Sequence, residues 1–297
     1  MLTTIGLFFA LLTSFAGTAS STITQYFKVD PSVMAIYRGL GIALILLPFL
    51  IFVPYPTSPM FYLLVCANGL IASLSFRLIT TIIQEHGANI ASKFLTVPPV
   101  FVAIAWWVIR PIEFAAFVDA DPLKAGGAMF CLAGMIFTIF ALGHNKYTHK
   151  ALVASIPLFV CYTAQTFLTF FAIKELSILQ GMFYYVFLQG LIVGTINYFV
   201  HVHHLKGHVK EDLLLSIFDK KIMKAGLLFV FTMIIARFCT NIALKLLPNP
   251  AYVPLIANLQ IIWIFMLSKK LKLKNAISPK KGVILAIYAI TFIMLTY

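Results

Sequence analysis

Charge is what this sequence has least of. Only 10% of its 297 residues are Asp, Glu, Lys or Arg, and just nine of those are acidic, where a soluble domain carries about a quarter charged residues. With 61% hydrophobic residues and a mean hydropathy of +0.98, the chain falls outside the soluble class. Long polar stretches are missing too, so no soluble domain fits between the apolar runs and the work of the protein falls to its membrane part. The four cysteines, Cys66, Cys131, Cys161 and Cys239, form no Cys-x-x-Cys pair and all sit in apolar runs. That argues against a disulfide framework or a cysteine zinc site and makes them small apolar residues. No Gly-x-Ser-x-Gly, His-Glu-x-x-His or Asp-x-x-x-Asp occurs, so an intramembrane enzyme has no nucleophile or metal motif to work with, and no cofactor is expected.

What is present is a succession of apolar runs. A membrane-spanning helix needs roughly 20 mainly apolar residues, and ten runs of that order lie at approximately 4–27, 32–53, 60–83, 90–110, 124–143, 151–173, 180–201, 223–246, 251–268 and 281–297. They are continuously apolar rather than alternating, which selects helices over a β-barrel. Leu7 to Ala16 followed by Gly-Thr-Ala-Ser has a signal-peptide outline, but no Lys or Arg precedes it and the run continues past Ser21. The expectation is an uncleaved first span.

The net charge of +13 invites a nucleic-acid reading, and its placement opposes it. Fourteen basic residues fall in the odd-numbered loops, from Lys28 to the cluster Lys269–Lys281, and four in the even-numbered loops: Arg110, Lys124, Lys174 and Lys245. Lysine-rich loops face the cytoplasm and its anionic lipid. The count therefore puts the odd loops inside, both termini outside, and no nucleic acid among the partners.

Four basic residues remain at or within the spans: Arg38, Arg77, Lys93 and Arg237. Two of them recur. Arg77-x-x-Thr80 with Asn89-x-Ala91 matches Arg237-x-x-Thr240 with Asn249-x-Ala251, and over 77–110 and 237–270 seven of 34 positions are identical without a gap. A polar side chain in a membrane segment is costly, so its duplication marks a repeat and points to a site. Ten spans then divide into two fives, 1–148 and 149–297. Halves with an odd number of helices insert in opposite directions, giving an all-α protein of two inverted repeats.

The chain at this point resembles the drug/metabolite transporter superfamily, in particular its EamA-like ten-helix permeases. The resemblance rests on Tyr37-Arg38-Gly39, on Asn249-Pro250-Ala251-Tyr252 and on the five-plus-five pattern. It implies secondary transport across a membrane, such as a bacterial inner membrane, with an acidic residue just after the fourth span, a place Glu113 can fill. It also implies cytoplasmic termini, the reverse of the lysine count.

The chemistry of the spans narrows the cargo. All nine carboxylates lie in loops or at span ends, so the buried acid that proton-driven export of cationic drugs requires is missing. A small anionic or zwitterionic metabolite is the expected substrate. Arg237 lies about eight residues from the nearer end of its span, or roughly 12 Å deep, too deep to snorkel comfortably; Arg77 is shallower, and Arg38 is near enough to a span end to reach headgroups. Helical spacing groups Thr240 and Asn241 with Arg237, and sets Tyr162 and Gln165 on one side of the sixth span. Lys93 and Gln189, with Tyr185 and Asn258, complete the polar residues expected to face the cavity. Pro98-Pro99 and Pro254 interrupt corresponding spans, a pointer to a central site. Each Gln, Thr or Asn taken alone also serves as a hydrogen bond between helices.

Gly190-x-x-x-Gly194 allows close helix packing, within the chain or in a homodimer. Lys93-Phe94-Leu95-Thr96 and Phe183-Tyr184-Tyr185 resemble, more faintly, nucleotide-sugar exchangers of the same fold. Two other classes stay open: a membrane scaffold without transport, which buried arginines disfavour, and a metal-binding protein using His204 and His208, for which solvated interfacial histidines are the simpler account.

Overall fold

Proline opens six of the described helices. Pro31, Pro59, Pro98, Pro111, Pro122 and Pro279 each stand first in a helix, where the missing N–H removes no intrahelical bond and the fixed φ already suits the turn. The structure, a computed structural model, describes residues 2–27, 31–86, 96–142, 155–204, 219–270 and 279–296. Among these every element is a helix and none a strand. The long ones are α1 (Leu2–Phe27), α4 (Pro59–His86), α7 (Pro122–Leu142), α8 (Ile156–Lys174), α10 (Val186–His204) and α11 (Lys220–Leu246). Shorter ones are α2 (Pro31–Ile36), α3 (Ile42–Leu46), α5 (Pro98–Ile109), α6 (Pro111–Ala120), α9 (Ile178–Gln180), α12 (Tyr252–Ala257), α13 (Gln260–Lys270) and α14 (Pro279–Thr296).

Seven helical stretches are long and apolar enough to cross a membrane: Leu2–Ile23, Val33–Phe52, Pro59–Phe76, Pro122–Ala141, Ile156–Lys174, Ile178–Val200 and Lys220–Leu246. They make this an integral, multi-pass membrane protein, and they match seven of the ten expected runs. The other three differ for visible reasons. In 90–110 the described helix begins only at Pro98, and at Arg110-Pro111 the chain turns by 93° from α5 into α6. The run 251–268 breaks at Asn258-Leu259 into α12 and α13, and in 281–297 the apolar helix covers only Val283–Thr296.

Large apolar side chains cover the outside, Leu63, Phe137 and Met294 among them, as expected where the neighbour is lipid. Several hydroxyls of α1 donate within their own helix, Thr18 to the Ser14 carbonyl and Thr22 to that of Thr18, both at 2.9 Å, while Ser14 donates to the Ala257 carbonyl at 3.4 Å. This is how a helix with so many hydroxyls stays compatible with an apolar setting. Helix α1 packs along α11, α8 along α4, and α14 along α7, while α10 packs against α4 and against the segment from α2 to α3.

Two of the crossings run on glycine. A methyl group on Gly39 would collide with the backbone of Gly194, and one on Gly194 would meet the Leu40 backbone and the Gly39 carbonyl carbon. The Gly190-x-x-x-Gly194 face is therefore filled by Gly39 of the same chain. On the other side of Gly39, Gly226 of α11 lies under the Tyr37 ring, so close that a Cβ would reach ring carbons at 2.6 Å. These approaches bring α10 and α11 against the segment that carries Arg38.

Candidate functional site

Arg38 sits in a π-helical turn, Tyr37–Gly41, between α2 and α3. Such widened turns are frequent at functional sites. Its guanidinium carbon lies over the Phe76 ring of α4, 5.1 Å from the centroid, instead of reaching headgroups as its place near the span end predicted. Arg38 and Arg237 of α11 line a small cleft together with Ile42, Ala72, Val186, Gln189, Gly190 and Val193, with a cavity volume of about 20 Å³. The two guanidinium groups repel one another across it, and among the described residues no carboxylate pairs with either. Two cations held this way give the cleft a positive potential, which a shared anion would relieve.

Behind the cleft runs a buried hydrogen-bond chain. Gln189 Nε2 donates to Asn68 Oδ1 at 2.7 Å, and Asn68 Nδ2 donates to the Gln165 carbonyl at 2.9 Å and to Thr169 Oγ1 at 2.8 Å. Thr169 shares a 2.8 Å bond with the Tyr185 hydroxyl, and Gln165 Nε2 donates to Ser75 Oγ at 2.8 Å. All six side chains are buried, Asn68 and Tyr185 completely. The chain ties α4, α8 and α10 together and fixes the side of the cleft that Gln189 occupies.

Of the residues expected at the site, Arg38, Gln189 and Arg237 meet in the cleft. Gln165 and Tyr185 stand behind it in the chain of bonds, with Tyr185 close enough to Arg237 to interact electrostatically. Tyr162 packs beside Ile79, Val97, Leu158 and Phe159, and its phenol interacts with Arg38. The remainder do not line the cleft. Thr240 faces α1, donating to Thr13 Oγ1 at 3.3 Å and to the Ala236 carbonyl at 2.8 Å. Asn241 donates to the Gly181 carbonyl at 2.7 Å, at the start of a second π turn, Gly181–Tyr185. Helical spacing put both on the Arg237 face, but that face is wide enough to meet three different neighbours. Asn258 donates to the Thr96 carbonyl at 3.4 Å, so the break in 251–268 adjoins the turn before Pro98. The Arg77 side chain and Lys93 lie outside the described residues, as do Asn89 and the Thr80 side chain.

The duplicated asparagine has a local job. Asn249 Oδ1 accepts from the Ala251 N–H at 2.9 Å, an Asx turn that leads into α12 and accounts for the Asn-x-Ala spacing. Glu113 pairs with Arg110 at 3.3 Å in an exposed position, a contact of small energetic weight. Among the described residues no cluster of His, Cys, Asp or Glu is arranged to hold a metal; His208 and the His204 side chain lie outside them. Asn68 is the residue that sequence reasoning passed over. Its signal was an asparagine one helical turn from Ala72 and two from Ser75, inside a run with few other polar groups.

No family model matches the chain, and no curated protein does. Twelve chains of known structure match it in fold. One, described only as the crystal structure of a protein, superposes with a TM-score of 0.60 over 99% of this chain and 94% of its own, at 14% identity. That likeness defines the class by fold alone, an all-helical membrane bundle with a previously solved architecture.

Proposed function

We propose that the protein is a secondary transporter that moves a small anionic or zwitterionic metabolite across a membrane by alternating access. The observation that carries this reading is the pair Arg38 and Arg237, brought from distant parts of the sequence into one cleft between membrane helices, with no described carboxylate beside them. Structural ion pairs would pin such arginines; these line the cleft instead.

In this reading the chain has ten spans in two inverted repeats, 1–148 and 149–297, of the EamA-like kind within the drug/metabolite transporter superfamily, in a bacterial inner membrane. The packing pattern supports it. With spans numbered in chain order, α1 on α11 is the pair 1 and 8, and α8 on α4 is the pair 6 and 3. A shift of five spans turns one pair into the other. Spans 5 and 10, the α7 and α14 pair, and spans 2 and 7, Gly39 against Gly194, map onto themselves under the same shift. The cleft then lies between spans 2, 3, 7 and 8, where two repeats meet.

Purified protein in liposomes provides the test. Uptake of labelled carboxylates, amino acids and phosphate esters is expected, and the Arg38→Gln, Arg237→Gln double variant should retain its fold and lose that flux. Efflux of quaternary ammonium by the wild type would overturn the anion reading. A folded protein with no flux of any solute, indifferent to both arginine changes, would make it a scaffold; strong preference for nucleotide-sugars would move it to the exchanger class.

A further inference from the structure

The buried chain behind the cleft does more than hold helices, because it fixes which way every amide in it points. The chain starts at an unambiguous atom. The backbone carbonyl of Gln165 can only accept, so the Asn68 side-chain atom 2.9 Å from it must be the nitrogen. Asn68 therefore turns its oxygen toward α10, and the Gln189 atom 2.7 Å from that oxygen must be a donor, Nε2. Gln165 is fixed in the same manner, since its own Nε2 faces the Cys161 carbonyl at 3.3 Å as well as Ser75 Oγ. An amide orientation is normally a matter of choice at the level of density or coordinates; here a main-chain oxygen decides it.

What is left over is Gln189 Oε1. It takes no hydrogen bond among the described residues, yet it is not sealed away like the partnerless buried atoms Thr163 Oγ1, Asn241 Oδ1 and Trp263 Nε1. Gln189 is otherwise buried, with 5% of its surface exposed, and it lines the cleft. The remaining lining side chains are two arginines, which only donate, and aliphatic groups or glycine, which offer neither donor nor acceptor. Among the described lining residues, Oε1 is thus the one side-chain acceptor in a cleft dominated by cationic donors.

We infer that the site selects anions that carry a hydrogen-bond donor next to the charge, a hydroxyl or ammonium group on a carboxylate or phosphate ester, with Gln189 reading that donor while Arg38 and Arg237 hold the anion. Asn68 is the positioning residue that keeps Gln189 from presenting its amide nitrogen instead. A plain anion fills the arginines and leaves Oε1 without a partner; an anion with a hydroxyl or ammonium group satisfies both. This inference rests on the transport reading and on its arginine cleft.

Matched pairs of ligands test it, with affinities measured on the full-length protein in lipid nanodiscs. Lactate is compared with propanoate, alanine with propanoate, and glycerol 3-phosphate with propyl phosphate. In at least one pair the donor-bearing member is expected to bind between about twofold and tenfold more tightly, the range of one neutral hydrogen bond. Gln189→Met, close in volume and without a strong acceptor, should erase that preference, so that the two members of each pair bind alike. Equal binding within every wild-type pair overturns the selectivity and leaves the arginine site standing, and that comparison requires no variant to fold. Preference kept in Gln189→Met overturns the role of Gln189. Failure of all five probes to bind, with Arg237→Gln no different from wild type, overturns the anion site and this inference together.

Discussion

Two helix interfaces in this protein treat polarity in opposite ways. Between α7 and α14, small residues and large apolar ones interlock: Gly127 receives Leu295, Gly134 receives the Tyr288 ring, and Ala125, Ala128, Cys131 and Met135 are buried with Leu285, Ala289 and Phe292 nearby. Its buried hydroxyl, Thr138, donates to the Gly134 carbonyl of its own helix at 2.7 Å. Around the cleft the helices are just as close, Gly39 lying against Gly194. There, however, the polar groups reach across helices, and three of them, Arg38, Arg237 and Gln189, line the cleft. A membrane helix can hide a polar atom on itself, so groups that are not hidden reveal where the bundle meets something other than lipid or protein.

The contrast can be attacked at several points. The largest effect is expected from Arg38→Gln combined with Arg237→Gln, which removes two charged hydrogen-bonding groups worth about 1.5–3 kcal/mol each. Anion flux in liposomes should fall by more than tenfold with the thermal midpoint little changed. Next comes Gly194→Leu, whose side chain has no room beside Gly39 and Leu40; overpacking costs about 1–3 kcal/mol where the neighbours can shift, and these are main chain. A clear drop in the melting temperature in detergent is expected, larger than for Gly126→Leu, where nothing lies within 4 Å of a Cβ.

Asn68→Leu should come third. It leaves the Gln165 carbonyl and the Gln189 amide without their partner, a loss of about 1–3 kcal/mol for buried groups. Ligand discrimination should weaken in the same variant, whereas Leu285→Ala in the apolar interface should lower stability and leave discrimination intact. Binding assays run alongside thermal melts separate the two. The smallest effect belongs to the lipid face: Met294→Ala, at a side chain 74% exposed, should stay within about 0.5 kcal/mol of wild type.

The bundle was legible because apolar length and helix-starting prolines are local properties, and both survive in one sequence read alone. The seven long spans follow from them directly. The shorter ones blur because Arg110-Pro111 and Asn258-Leu259 break helices inside runs that hydropathy treats as continuous. At the site, the sequence pointed to Arg237 by its depth, and to Gln189 as one of the polar residues of the spans. It undervalued Arg38, since nearness to a span end says nothing about the ring of Phe76 waiting on another helix. It overvalued the repeated Asn249, which serves a turn, and Thr240, which serves the packing of α1. Repetition in sequence marks what a fold needs twice, and a fold needs turns and helix crossings as much as it needs ligands. Asn68 was invisible for a different reason: its role is set by a carbonyl 97 residues away.

The position of Arg38 over Phe76 carries one more implication. A benzene ring engages the flat face of a guanidinium, whereas all five N–H bonds lie in its plane and point outward from the rim. Set over the ring, Arg38 is placed without a described carboxylate as counter-ion. An acidic residue in the place of Phe76 would anchor the arginine more strongly and silence it. The aromatic ring acts as a mount that leaves the instrument free to be used.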